Sequence, residues 1–199
     1  LASLYLNGRG VPQDDLEAFR WFERAAGQDH AEAQTQLGWM YETGRGTGQD
    51  DSQAFRWYLQ AAESGDAEAQ KNVALMYQEG RGVLQSDEEA VRWYRKAADR
   101  GHLGAQCNLG WMYRNGKGVA KDEKEALRWY LQAAEAGNAT AQSNLGFVYR
   151  TGTGVEKDDA EAFHCNERAA DQGDSKSQFW VGWMLDQGEG VPEDDEKAV

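Results

Sequence analysis

The chain has 199 residues, 34 acidic and 21 basic, for a formal net charge of −13. That surplus excludes a phosphate-backbone binder, which needs a basic stripe, and no run approaches the length of an apolar membrane span. Two cysteines 58 residues apart form neither a disulfide framework nor a zinc cluster, and aromatics at 11% exclude an aromatic-poor disordered tail.

From the N-terminus, Gly8-Arg9-Gly10-Val11 recurs as Gly44-Arg45-Gly46-Thr47 and Gly80-Arg81-Gly82-Val83. It returns as Gly116-Lys117-Gly118-Val119, Gly152-Thr153-Gly154-Val155 and Gly188-Glu189-Gly190-Val191, always 36 residues on. Other series keep the same step. Tyr5, Tyr41, Tyr77, Tyr113 and Tyr149 form one, ending at Leu185. Trp21, Trp57, Trp93 and Trp129 form a second, broken at Cys165, and the alanine pairs from Ala25-Ala26 to Ala169-Ala170 form a third. A fixed period of this length predicts a solenoid, in which each unit buries its apolar face against its neighbours.

Each unit reads as two helices. In residues 66–101, Ala69, Val73, Met76 and Tyr77 share one helical face, which stops at Gly80. After the turn Gly80–Ser86, residues Ala90, Val91, Trp93, Tyr94, Ala97 and Ala98 make a band wide enough to pack on two sides. Helix starts follow in order: Asp14 with Glu17, Asp50 with Gln53, Ser86 with Glu89, Asp122 with Glu125, Asp158 with Glu161. Their spacing is that of a reciprocal capping box, in which the second side chain reaches back to the cap N–H. The Asp-Asp pairs at 14–15, 50–51, 158–159 and 194–195 are read as cap and dipole partners, not metal ligands. Gly38, Gly110, Gly146 and Gly182, with Ala2 and Ala74 in register, mark a close helix approach, with the alanine pairs expected as the opposing surface.

The motif A-x-A-Q-x-N-L-G-x-M-Y-x-x-G-x-G-V, then D-x-x-E-A-x-x-W-Y-x-x-A-A-x-x-G, resembles the Sel-1-like repeat, a relative of the tetratricopeptide repeat. Residues 102–137 carry it nearly whole, from Ala105-Gln106 through Asn108-Leu109-Gly110, Met112-Tyr113 and Trp129-Tyr130 to Gly137. The resemblance implies an all-α fold, a right-handed α/α superhelical solenoid of antiparallel helix pairs. One solenoid domain is expected over 1–199, with units about 1–29, 30–65, 66–101, 102–137, 138–173 and 174–199, the first and last truncated. It also implies a non-enzymatic scaffold or adaptor for a protein or peptide partner, in bacteria often linked to signalling, envelope processes or host contact. A structural spacer inside a larger repeat protein is the alternative. A cysteine-rich branch has been associated with penicillin binding and β-lactamase activity, but this chain lacks the paired cysteines that branch uses between the helices of each repeat.

The first helices of such solenoids tend to line the concave face, so its residues read as columns. They are Gln36, Asn72, Asn108, Asn144, Trp180; then Thr35, Lys71, Cys107, Ser143, Phe179; then Trp39, Leu75, Trp111, Phe147, Trp183; and Glu42, Gln78, Arg114, Arg150, Asp186. By resemblance, the Asn column holds a peptide backbone, since an amide both donates and accepts. Arg114 and Arg150 add carboxylate contacts. The candidate groove residues are therefore Gln36, Asn72, Asn108, Asn144, Lys71, Arg114, Arg150, Trp39, Trp111 and Trp180. Against this, the Asn side chains serve equally well as hydrogen bonds between repeats, and the aromatic column as core edge. Trp180 breaks the Asn pattern and marks a local apolar patch.

No catalytic, metal or cofactor site is expected. His30 and His102 share a register two units apart, too distant for a common metal, and His164 stands alone. The Gly-x-Gly loops follow helices and precede acidic caps, the reverse of a phosphate cradle. Leu1 aligns with mid-helix Leu37 and Ala198-Val199 with Ala54-Phe55, so the chain reads as part of a longer array. Uncapped ends then predict end-to-end self-association or fraying. Nucleic acid and membrane insertion are not expected.

Overall fold

The structure is a computed structural model describing residues 1–191. Among them are eleven α-helices and no strand: α1 (Ala2–Asn7), α2 (Asp15–Ala26), α3 (Ala31–Thr43), α4 (Asp51–Glu63), α5 (Ala67–Glu79) and α6 (Asp87–Asp99), followed by α7 (Leu103–Asn115), α8 (Glu123–Glu135), α9 (Ala139–Thr151), α10 (Asp159–Asp171) and α11 (Ser175–Gln187). They form two compact units, Leu1–His102 with α1–α6 and a second from Leu103 with α7–α11. The Asp pair at 194–195 and the terminal Ala198-Val199 lie outside the described residues.

The second helix of each pair starts where the sequence places it. The side chains of Asp14, Asp50, Ser86, Asp122 and Asp158 each accept a backbone N–H two or three residues on. Such a cap contributes about 1 kcal/mol. The expected reciprocal half is not formed. Each cap N–H instead donates to a tyrosine carbonyl in the preceding helix: Asp14 to Tyr5, Asp50 to Tyr41, Ser86 to Tyr77, Asp122 to Tyr113 and Asp158 to Tyr149, at 2.9–3.0 Å. With that donor used, Glu17, Glu89 and Glu125 turn outward to Arg20, Arg92 and Arg128 at 2.5–2.7 Å. The tyrosine carbonyl thus closes the loop between the two helices, a role the sequence pattern did not disclose.

First helices have caps of their own, from His30, Asp66, Asn138 and Asp174. A glutamine four residues past each cap stitches one pair to the next. Nε2 of Gln34, Gln70, Gln142 and Gln178 donates to the carbonyl of Ala26, Ala62, Ala134 and Ala170, at 3.0–3.3 Å. These carbonyls end second helices and have no partner within them.

The close approach is real, but its partner differs from the expectation. A Cβ on Gly38 would lie 2.7 Å from the Tyr58 ring, one on Gly110 2.8 Å from Tyr130, and one on Gly146 2.5 Å from Asn166. The small residue makes room for a large side chain of its paired helix, not for an alanine pair. Tyr58, Tyr94 and Tyr130 are completely buried there. The glycine loops explain themselves similarly. Gly80 ends α5 in the left-handed region at φ 71°, where a Cβ is strained. Two residues on, a Cβ on Gly82 would lie 2.1 Å from the Asp51 carbonyl oxygen, so this loop rests on the start of the preceding pair's second helix.

Candidate peptide-binding face

The decisive register pairs a first-helix position with the residue sixteen places on, in the second helix. In the first unit the pairs are Leu6 with Phe22, Glu42 with Tyr58, and Gln78 with Tyr94. Leu6 and Phe22 share the apolar core. The Tyr58 hydroxyl donates to Glu42 at 2.7 Å, and the Tyr94 hydroxyl donates to Gln78 Oε1 at 2.8 Å. Arg81 adds a second donor to Glu42 at 2.6 Å. Burial and the neighbouring carboxylate together push the Tyr58 phenol far above its ordinary range.

Several other polar groups of this unit are also engaged internally. Arg45 grips both carboxylate oxygens of Asp15, at 2.5 and 3.0 Å, and lies 5.2 Å from the Trp39 ring centre. Lys71 pairs with Glu68 at 2.6 Å, and His102 reaches the same carboxylate at 2.8 Å. Hydrogen bonding from His102, then Lys71, holds the Glu68 carboxyl down to about 2. Of the sequence-predicted residues here, Lys71 and Trp39 are occupied by the protein itself. Gln36 and Asn72 are half-buried, and their amides have no hydrogen-bond partner among the described residues.

In the second unit the same register reads Arg114 with Tyr130, and Arg150 with Asn166. An arginine cannot accept, and the Tyr130 hydroxyl is buried with no hydrogen-bond partner among the described residues. Asn166 is far shorter than tyrosine; its Nδ2 donates to the Ala162 carbonyl at 2.9 Å. The space beyond it belongs to a cavity of about 190 Å³, lined by Arg114, Ser143, Asn144, Phe147, Arg150, Asn166, Lys176 and Trp180. Four of the ten sequence-predicted residues converge there: Arg114, Asn144, Arg150 and Trp180.

Three lining side chains are cationic and none is acidic, in a chain of net charge −13. None of the three makes an ion pair among the described residues. Arg114 lies 4.9 Å from the Phe147 ring centre and Arg150 lies 4.0 Å from that of Trp180. Trp180 also meets Phe179 and Trp183 edge-on, at 5.4 and 5.6 Å. Phe147, expected at the core edge, is 42% exposed, and Trp111 is exposed as well. Asn108 stands outside the cavity lining with no hydrogen-bond partner among the described residues, whereas Asn144 Nδ2 donates to Cys107 Sγ at 3.3 Å. The inter-repeat role thus holds for Asn144 alone.

Sequence reasoning named Ser143 and Phe147 only as column members, and it missed Asn166 and Lys176. The available signals were breaks in register. Asn166 interrupts Tyr58, Tyr94 and Tyr130, and Lys176 stands where earlier units carry Glu32 and Glu68.

Both cysteines are buried and free, and burial pushes each thiol up to about 11. Among the described residues no three His, Cys, Asp or Glu side chains cluster as metal ligands, and no helix is long and apolar enough to cross a membrane.

The Sel1 repeat pattern matches this chain six times, over residues 1–30, 31–66, 67–102, 104–138, 139–174 and 175–199. Among solved structures, a protective antigen present in uropathogenic Escherichia coli strains is 38% identical with a TM-score of 0.94, covering 100% of this chain. The chain spans 42% of that antigen's length. A Sel1 repeat protein from Oxalobacter formigenes is 33% identical with a TM-score of 0.94, covering 99% of this chain and 81% of its own. Immunity protein PA5088 from Pseudomonas aeruginosa is 20% identical, with a TM-score of 0.66 over 99% of this chain and 77% of its own, and so shares the fold alone. None of the curated proteins matches. Proteins of this repeat type are all-α solenoids, typically without enzymatic activity, that generally act as scaffolds for protein interaction. Repeat pattern and structural likeness together place the chain in the Sel1 repeat family.

Proposed function

We propose that this protein is a non-enzymatic interaction scaffold that holds a peptide segment of a partner protein on the exposed faces of its first helices. The observation that carries the reading is the second-unit cavity, where a half-buried amide, three cations and two aromatic rings meet. Amides grip an extended backbone, rings cover apolar side chains, and guanidiniums seek carboxylates. A structural spacer has no need of unpaired cations beside exposed rings.

The test is selection from a displayed random-peptide library. Peptides recovered on the wild-type chain are then measured against Asn72→Ala/Asn108→Ala/Asn144→Ala and against Arg150→Ala/Trp180→Ala. Binding lost at an unchanged melting temperature supports the face as the binding site. Failure to enrich any peptide, or equal binding by the variants, refutes it.

A further inference from the structure

The cavity's chemistry can be read from the protein's own first unit. There a buried tyrosine hydroxyl and an arginine converge on one carboxylate, that of Glu42, at 2.7 and 2.6 Å. In the second unit the tyrosine is kept as Tyr130 and the carboxylate is gone. An arginine occupies its place in the register, and among the described residues the hydroxyl has no acceptor and the arginine no ion pair. A buried phenol without a partner costs stability unless something supplies an acceptor. Arg114, released from the register that holds Glu42 inside the first unit, lines the cavity instead.

Resting on the scaffold reading above, we infer that this site takes an acidic peptide segment of a partner protein, whose carboxylates are held by Arg114 and Arg150 on the cavity lining. Charge argues for the same occupant. Arg114, Arg150 and Lys176 form an unneutralised cationic lining on an otherwise acidic protein, so the site attracts what the rest of the surface repels. Asn144 and Trp180 lie on the same lining, where an amide meets peptide backbone and a ring covers side-chain methylenes.

The probe is a fluorescein-labelled hexaglutamate peptide, with hexaglutamine as the uncharged control. Fluorescence anisotropy on the whole chain is expected to show hexaglutamate binding and hexaglutamine not. Arg114→Gln should weaken binding about tenfold or more and Arg150→Gln several-fold, the loss expected for hydrogen bonds to a charged group. Arg114→Glu should abolish binding. It should also raise the melting temperature by about 2–4 °C, because Tyr130 then gains the acceptor that Tyr58 already has. Binding that is indifferent to both Arg114→Gln and Arg150→Gln, or a melting temperature that falls in Arg114→Glu, would overturn the inference. If hexaglutamate fails while library peptides still depend on Asn144, the carboxylate is wrong and the scaffold stands. If both fail, the binding face itself is wrong.

Discussion

Two halves of one repeat array treat the same register oppositely. In the first unit, Glu42 and Gln78 receive hydroxyls from Tyr58 and Tyr94, and Arg81 reaches back to Glu42. Donors and acceptors of the same chain consume one another there, as the Arg45–Asp15 pair also does. In the second unit, Arg114 and Arg150 hold those first-helix positions, and Lys117 and Thr153 replace the loop arginines. Guanidiniums that could have joined repeat to repeat sit over aromatic rings beside a cavity. The lesson is that exchanging an acceptor for a donor at one helical position ends the pairing between helices there, which on the proposed function leaves the donor for a ligand. The backbone need not change.

The largest expected difference comes from deleting the two phenols. Tyr58→Phe removes one of the two donors to the partly buried Glu42 carboxylate and should cost about 1.5–3 kcal/mol. Tyr130→Phe removes a hydroxyl that has no partner and should be neutral or stabilising. Urea melts read both, and equal losses would erase the contrast between the units. Arginine removal comes next. Arg81→Ala breaks a partly buried ion pair and should cost about 1–2 kcal/mol. Lys117→Ala, at the same register but exposed, should stay within about 0.5 kcal/mol.

The caps set the baseline. Asp50→Ala and Asp122→Ala each remove a side chain accepting two backbone N–H groups, and each should cost about 1 kcal/mol. Unequal losses would mean that the units differ in more than their side-chain pairing. Both cysteines lie in the second unit, so thiol labelling reports on that unit alone. With both thiols held near 11 by burial, alkylation at pH 8 should be slow until the second unit opens. Rapid labelling of native protein would show that Cys107 and Cys165 are not sealed.

Acid gives the smallest effect and belongs to the first unit. The folded Glu68 carboxyl titrates near 2, below the ordinary unfolded value of about 4.3. Its contribution is therefore complete above that unfolded value and is lost as pH falls from there through about 2. Glu68 is more than half exposed, so solvent screens the interaction. Hydrogen exchange in α5 should become slightly more acid-sensitive than in α9, and Glu68→Gln should remove the difference.

Much of the fold was legible without coordinates, for local reasons. A 36-residue period, a glycine after each first helix and an Asp or Ser before each second helix act within one or two turns of chain. Their helices and caps appear where the pattern places them. The candidate site was legible in part. Arg114, Asn144, Arg150 and Trp180 could be named because column arithmetic puts them on one face. Asn166 stood apart because it comes from a second helix, α10; Lys176 shares α11 with Trp180, one turn away, and was signalled only by the break from Glu32 and Glu68 at its register.

The sequence alone determined the repeat, its helix boundaries and the family likeness, since each depends on residues near one another along the chain. Only the tertiary structure decided what faces what. It set Tyr58 and Tyr130 against glycines where alanine pairs were expected, and turned cap N–H groups to tyrosine carbonyls. It left the Tyr130 hydroxyl without an acceptor, and three cations around one cavity without ion pairs, among the described residues. The physical reason is that a hydrogen bond or ion pair is settled by which partner the fold holds within reach, and here that partner comes from another helix, nine or sixteen residues away along the chain.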